Sequence, residues 1–157
     1  MFYFVCATKK EAGMKKDNSI LHHCLYFTAN SLSRVITKMA EQEFMGTGLS
    51  PSHAFLIMLV NDHPGILQKE LCEKLNLAPS TVTRFIDTLA YRGFLTRQTK
   101  GKSTMVFPTK EGEALQDSIY KAWKSLHTRY AKVLGLEEGD DLTARVDQAS
   151  IDLGKTV

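Results

Sequence analysis

Four side chains suited to nucleic-acid binding stand close together after Pro79. They are three hydroxyls and one guanidinium: Ser80, Thr81, Thr83 and Arg84. Hydroxyls can hydrogen-bond to bases or phosphates, and arginine can pair bidentately with guanine or clamp a phosphate. If this segment is the start of a helix, its N-terminal side chains can reach base edges in a DNA major groove. The segment therefore predicts a reader of DNA sequence.

A second group of cations follows at Arg97, Lys100 and Lys102. Residues 50–110 hold eight basic and four acidic residues, a formal charge of +4, whereas residues 111–157 hold six and nine, a charge of −3. A basic middle between less basic ends is typical of a polyanion-binding segment, although a solvated charged face has the same composition. We interpret the three cations as DNA contacts, with the lysines either along the backbone or in the minor groove.

The rest of the composition excludes several classes of protein. The chain has 157 residues with 43% hydrophobic content, which predicts a folded domain. Its longest apolar run, Ala54 to Val60, is far shorter than the ~20 residues of a membrane helix, so no membrane partner is expected. Three cysteines without a Cys-x-x-Cys motif indicate a reducing, cytoplasmic environment. No catalytic or phosphate-loop motif occurs, so neither an enzyme nor a cofactor is predicted.

The elements that must position these side chains form a helix-turn-helix followed by a hairpin. Ser50 and Pro51 start one helix, Gln68–Leu75 form a second that ends at Asn76, and Ser80–Arg92 form the third. Two β-prone runs then flank Gly101. The predicted fold is mainly α with a small β-hairpin wing, a winged helix-turn-helix.

Helices on both sides of this module are predicted to hold two subunits together. A helix from about Ser19 to Phe44 carries two adjacent apolar stripes, more than one buried face requires. Thr109 is predicted to cap a helix that runs to Leu134, and Asp140 to cap a last helix. The predicted organisation is a tail (1–17), a dimerisation helix (18–48), a DNA-binding domain (49–110) and C-terminal dimerisation helices (111–157).

The segment from Pro79 to Arg97 closely resembles the recognition-helix signature of the MarR family of bacterial transcriptional regulators. The Lys69–Leu75 and Pro108–Gly112 segments resemble that family's preceding helix and the end of its wing. The resemblance implies a homodimer that binds a palindromic operator in double-stranded DNA, as a repressor responsive to a small organic effector. One departure lies in the wing, where the Gln98–Thr104 segment has no acid and no arginine.

The resemblance also places an effector pocket near His23, Phe27, His53 and Met58. Cys24 is the candidate for redox sensing, with a small buried apolar residue as the alternative interpretation. No metal site is predicted, because no two histidines have His-x-x-x-His spacing on a helix. Two other functions stay open: a thiol-redox or metal-sensing regulator, and a winged-helix protein-interaction module with weakened DNA binding.

Overall fold

The structure is a computed structural model that describes residues 20–101 and 103–156. The chain divides into two compact units, Met1–Ile36 and Thr37–Val157. The predicted tail, residues 1–17, lies outside the described residues, and the predicted domain boundaries stay predictions. Within the described residues no helix combines the length and apolar content needed to cross a membrane.

The described part of the first unit begins with a 3-10 helix at Ile20–His23. Helix α1 (Leu25–Phe44) follows and continues into the second unit. The prediction of one helix from Ser19 is therefore wrong at its start. Cys24 interrupts the helix because its N–H closes a tight turn onto the Leu21 carbonyl, at 3.2 Å. Its own carbonyl then accepts from the N–H of Thr28 at 3.0 Å and begins the α-helical ladder.

Three helices build the first half of the second unit. They are α2 (Pro51–Asp62), α3 (Gln68–Leu75) and α4 (Pro79–Tyr91). The predicted caps are confirmed: Ser50 Oγ accepts from the N–H of His53, and Asn76 adopts a left-handed conformation with φ 50°. The tight connection between α3 and α4 sets these two helices as a helix-turn-helix.

A three-stranded antiparallel sheet carries the wing. Its strands are β1 (Ile66–Leu67), β2 (Leu95–Lys100) and β3 (Ser103–Pro108), in the order β1-β3-β2. The hairpin of β2 and β3 pairs Leu95 with Pro108 and Lys100 with Ser103, and Gly101 lies in its turn with φ 62°. The hairpin is as predicted, whereas β1 was not predicted from the sequence.

The C-terminal part consists of α5 (Lys110–Glu113), α6 (Gln116–Leu134) and α7 (Leu136–Gly154). Thr109 caps α5 as predicted, by accepting from the N–H of Gly112 at 3.1 Å. The prediction that Asp140 caps the last helix is wrong. Gly135 adopts φ 90° and serves as the N-cap, so α7 begins at Leu136 and carries Asp140 within its second turn.

The core of the second unit joins the winged module to α6. One apolar side chain of α6, Val133, is 80% exposed and does not belong to this core. The fully buried side chains come from α1, α2, α3, α4, the sheet and α6, and include Phe44, Leu56, Ile57, Leu71, Ile86, Val106 and Ile119.

Candidate nucleic-acid interface

Helix α4 turns one face into the core and the other outward. Val82, Ile86 and Leu89 recur at helical spacing and are fully buried, so they fix the rotation of the helix about its axis. Ser80 and Arg84 are exposed on the remaining surface. Arg84 makes no ion pair with any residue that the structure describes, so its guanidinium is free to meet an external anion or base edge.

Thr81 and Thr83, the other two predicted readers, are half-buried. The Thr83 hydroxyl donates to the Pro79 carbonyl at 2.8 Å and accepts from the Gln68 side-chain amide at 2.8 Å. Thr83 therefore links the start of α3 to the start of α4 and helps to fix the angle between the two helices. Gln68 was not identified from the sequence, because only the folded turn brings its amide to Thr83.

The wing is tied to the same helix by an ion pair. Arg97 on β2 pairs with Asp87 on α4, and both side chains are half exposed. Asp87 is the only acid between Arg84 and Lys110 in the sequence, but only the folded structure identifies Arg97 as its partner. Lys100 is exposed at the end of β2, whereas Lys102 lies outside the described residues. The DNA contacts of all three wing cations stay predictions.

His53 contacts α4 through the Phe85 ring. Its ring packs against the ring of Phe85 on α4, with centroids 4.4 Å apart, and its Nδ1 is 2.6 Å from Ser50 Oγ. Its Nε2 is buried and has no hydrogen-bond partner among the described residues. Burial lowers the pKa of His53 below its ordinary value, and the charge of Arg92 lowers it further.

The predicted effector residues divide between the two units. His23 and Phe27 belong to the first, whereas His53 and Met58 belong to the second, where Met58 packs against the core. The pocket itself stays a prediction. Cys24 is half-buried, and its redox role likewise stays a prediction. Among residues 20–101 and 103–156, no group of three histidines, cysteines or carboxylates is placed to hold a metal ion.

The geometry defines a class of protein, one with a winged helix-turn-helix in which α4 is the second helix and the β2–β3 hairpin is the wing. Residues 49–102 match the sequence model of the MarR family. This segment contains α2, α3, α4 and most of the hairpin, so the winged helix-turn-helix of this chain is similar in sequence to that of MarR-family transcriptional regulators. The resemblance and the fold class predicted from the sequence are confirmed.

Relatives of known description agree with this class. The chain is 26% identical over 109 residues to the HTH-type transcriptional repressor MdtR of Bacillus subtilis strain 168, covering 66% of this chain and 70% of MdtR. Its fold is similar to that of CouR of Rhodococcus jostii RHA1 bound to p-coumaroyl-CoA, with a TM-score of 0.69 and 20% identity over 83% of this chain and 93% of CouR. It is also similar to S. aureus MepR in complex with DNA, with a TM-score of 0.71 and 13% identity over 82% and 98% of the two chains.

Proposed function

We propose that the chain is a ligand-responsive transcriptional repressor that binds a palindromic operator as a homodimer. Each subunit inserts α4 into a major groove, with Ser80, Thr81 and Arg84 toward the bases and the wing cations along the backbone. Thr83 contributes chiefly by holding α4 against α3, since its hydroxyl is used within the turn. We propose that the protein acts in the bacterial cytoplasm and has no catalytic activity.

The observation that carries this proposal is the exposed face of α4. A helix whose apolar side is locked in the core and whose opposite N-terminal side presents Ser80 and Arg84 is suited to a groove about 12 Å wide. The Arg97–Asp87 pair supports a fixed angle between this helix and the hairpin, so that both can meet one duplex. MdtR is described as a repressor, and a further structure shows CouR bound to a 23-mer DNA duplex.

Exposed apolar side chains support the homodimer. On α7, Leu142, Val146 and Leu153 recur at intervals of four and seven residues and are 37%, 50% and 55% exposed. This spacing is that of a helical seam made to pack against another helix. In the first unit, Leu25 and Val35 of α1 are also exposed. A second copy that covers these side chains would remove apolar area from water.

A small organic effector is supported by the CouR structures bound to p-coumaroyl-CoA. The thiol-redox and metal-sensing alternatives gain no specific support from the described residues. The effector is proposed to bind near His53 and Met58, where a change at the His53–Phe85 contact would reach α4 directly.

A selection from random double-stranded DNA tests the proposal. The full chain is incubated with a random library, and bound duplexes are recovered and sequenced. We expect an enriched palindrome whose half-site centres lie about one helical turn apart, ~34–36 Å. Recovery of DNA without any shared sequence would contradict sequence-specific binding, and a non-palindromic motif would contradict the symmetric dimer.

A further inference from the structure

A groove of about 490 Å³ runs along one side of α6, where the C-terminal end of α1 lies beside it. Its size is within the range of small-molecule sites. Four cations line it against one carboxylate, Glu43, and no lining side chain is aromatic. The four cations are Lys121, Lys124, Arg129 and Lys132.

The carboxylate of the groove is already engaged. Glu43 accepts hydrogen bonds from Ser125 Oγ at 2.6 Å and from Arg129 Nη1 at 3.0 Å. The bond from Ser125 and the bond and charge of Arg129 lower the pKa of Glu43, so the group is ionised at neutral pH. Glu43 and Arg129 therefore neutralise each other and form one wall of fixed geometry.

The remaining lysines have no such partner. Lys121, Lys124 and Lys132 make no ion pair with the residues that the structure describes. They stand three, eight and eleven residues apart on α6, and all three border the same groove. Three uncompensated ammonium groups around one concave surface attract a multiply charged anion. Lysine ammoniums are compact point charges and bind phosphate without demanding one orientation.

We propose that this groove binds the phosphate groups of a small molecule that carries at least two of them. Two phosphates can satisfy the three lysines together, whereas a single phosphate would leave part of the charge unpaired. Because the lining has no aromatic side chain for stacking, recognition is directed at a diphosphate group and not at a nucleobase. The groove lies on α6 and α1, apart from the reader on α4, so the proposal does not depend on DNA binding.

Isothermal titration of the full chain with inorganic pyrophosphate tests this site. We expect saturable binding of one pyrophosphate per chain, at least about ten-fold tighter than binding of inorganic phosphate. A Lys121→Gln/Lys124→Gln variant should weaken the binding by at least about ten-fold. The matched control is Lys69→Gln/Lys74→Gln, which removes the same charge from α3 and should leave the affinity unchanged.

A Glu43→Gln variant gives a result of opposite sign. Removing the carboxylate releases Arg129 and removes a repulsive charge, so pyrophosphate should bind several-fold more tightly. Misfolding cannot produce this gain. If the double lysine variant does not fold, two single variants test the proposal instead. Lys132→Gln should lower the affinity for pyrophosphate, and Glu43→Gln should raise it.

Three results would overturn the proposal. One is the absence of saturable pyrophosphate binding to the wild-type chain. Another is equal weakening in the α3 control, which would mean diffuse attraction by net charge. The third is a combination of two results: the wild-type chain does not bind pyrophosphate, and the Lys121→Gln/Lys124→Gln variant dissociates in sedimentation. This combination would assign the groove to contact with a second copy.

Discussion

At the residue scale, Arg84 is the side chain on which the proposed reading of DNA sequence depends most. It is exposed on the outward face of α4, and its planar guanidinium can bond two acceptors of one guanine. We expect Arg84→Ala to weaken operator binding by about 1–3 kcal/mol and to relax preference at one position of each half-site. Competition binding on single-base variants of the selected operator measures both effects.

The control for this prediction is Arg84→Lys, which keeps the charge and loses the bidentate geometry. It should retain more affinity than Arg84→Ala while losing the same base preference. If Arg84→Ala weakens all sequences equally, Arg84 is a phosphate clamp and the assignment of base reading is wrong.

His53 predicts a dependence of stability on pH. Because burial and Arg92 lower its pKa in the folded state, the unfolded chain takes up the proton more readily below the ordinary value of 6.5. The stability present above pH 6.5 is therefore partly lost as the pH falls from 6.5 through the lowered folded-state pKa. Thermal unfolding between pH 7.5 and pH 5 should show a smaller decrease in Tm for His53→Gln than for wild type.

The matched control for His53 is His63→Gln, because His63 is exposed in the turn after α2. This variant should follow the wild-type decrease. A His53→Gln variant with the full wild-type pH dependence would show that His53 does not link protonation to folding.

At the element scale, the sequence predicts those features whose signals are local. Ser50, Asn76 and Thr109 end or begin helices through hydrogen bonds and dihedral angles within a few residues, so their patterns are sufficient. The two-residue strand β1 was missed because it exists only through pairing with β3 about forty residues away. The start of α7 was misplaced because both Gly135 and Gly139 are helix breakers by type, yet only Gly135 has the positive φ.

The candidate site was predictable to a similar extent. The pattern of α4 was sufficient to place Ser80 and Arg84 on the surface, since the buried positions recur at helical spacing. The contacts Gln68–Thr83 and Asp87–Arg97 were not foreseen, because each joins two elements whose relative placement the sequence pattern does not contain. The DNA contact of Thr83 stays a prediction, and the hydrogen bonds of its hydroxyl inside the turn were not foreseen.

The junction between the wing and α5 predicts a strict requirement for Gly112. A Cβ atom at this position would overlap the backbone carbonyl oxygen of Phe94, which cannot rotate away as a side chain can. We expect Gly112→Ala to lower the free energy of unfolding by about 1–3 kcal/mol in denaturant titration. Gly154→Ala is the control, since a Cβ there meets no atom within 4 Å, and it should change stability by less than about 0.5 kcal/mol. Equal stability of the two variants would contradict the close packing of α5 on Phe94.

The wing predicts a change in salt dependence. Lys100 and Lys102 are point charges, so they should add affinity without sequence preference. Each phosphate contact contributes roughly 0.9 to the slope of log K against log salt concentration. If all four lysines of a homodimer contact phosphates, Lys100→Ala/Lys102→Ala should reduce the slope by roughly 3–4 and leave the preferred operator unchanged. An unchanged slope with wild-type affinity would show that the wing does not hold DNA.

At the scale of the whole molecule, basic and acidic residues are unevenly distributed along the chain. Residues 50–110, which contain the reader and the wing, are basic, whereas α7 carries six acids and exposed apolar side chains. This distribution of charge suits the proposed function, because a basic surface attracts DNA whereas an acidic helix repels it and is left for contact with a second subunit. The sequence predicted the distribution of charge from composition, which is a property of segments and needs no knowledge of the fold.

The most direct test of the proposed function compares two duplexes in a titration with the full chain. One is the selected palindrome, and the other has one half-site scrambled. Sedimentation of the complexes gives the number of chains bound. We expect two chains on the palindrome in a single transition, and a loss of affinity on the order of 100-fold when one half-site is scrambled. One chain per duplex, with equal affinity for both duplexes, would contradict a homodimer that reads two half-sites with α4.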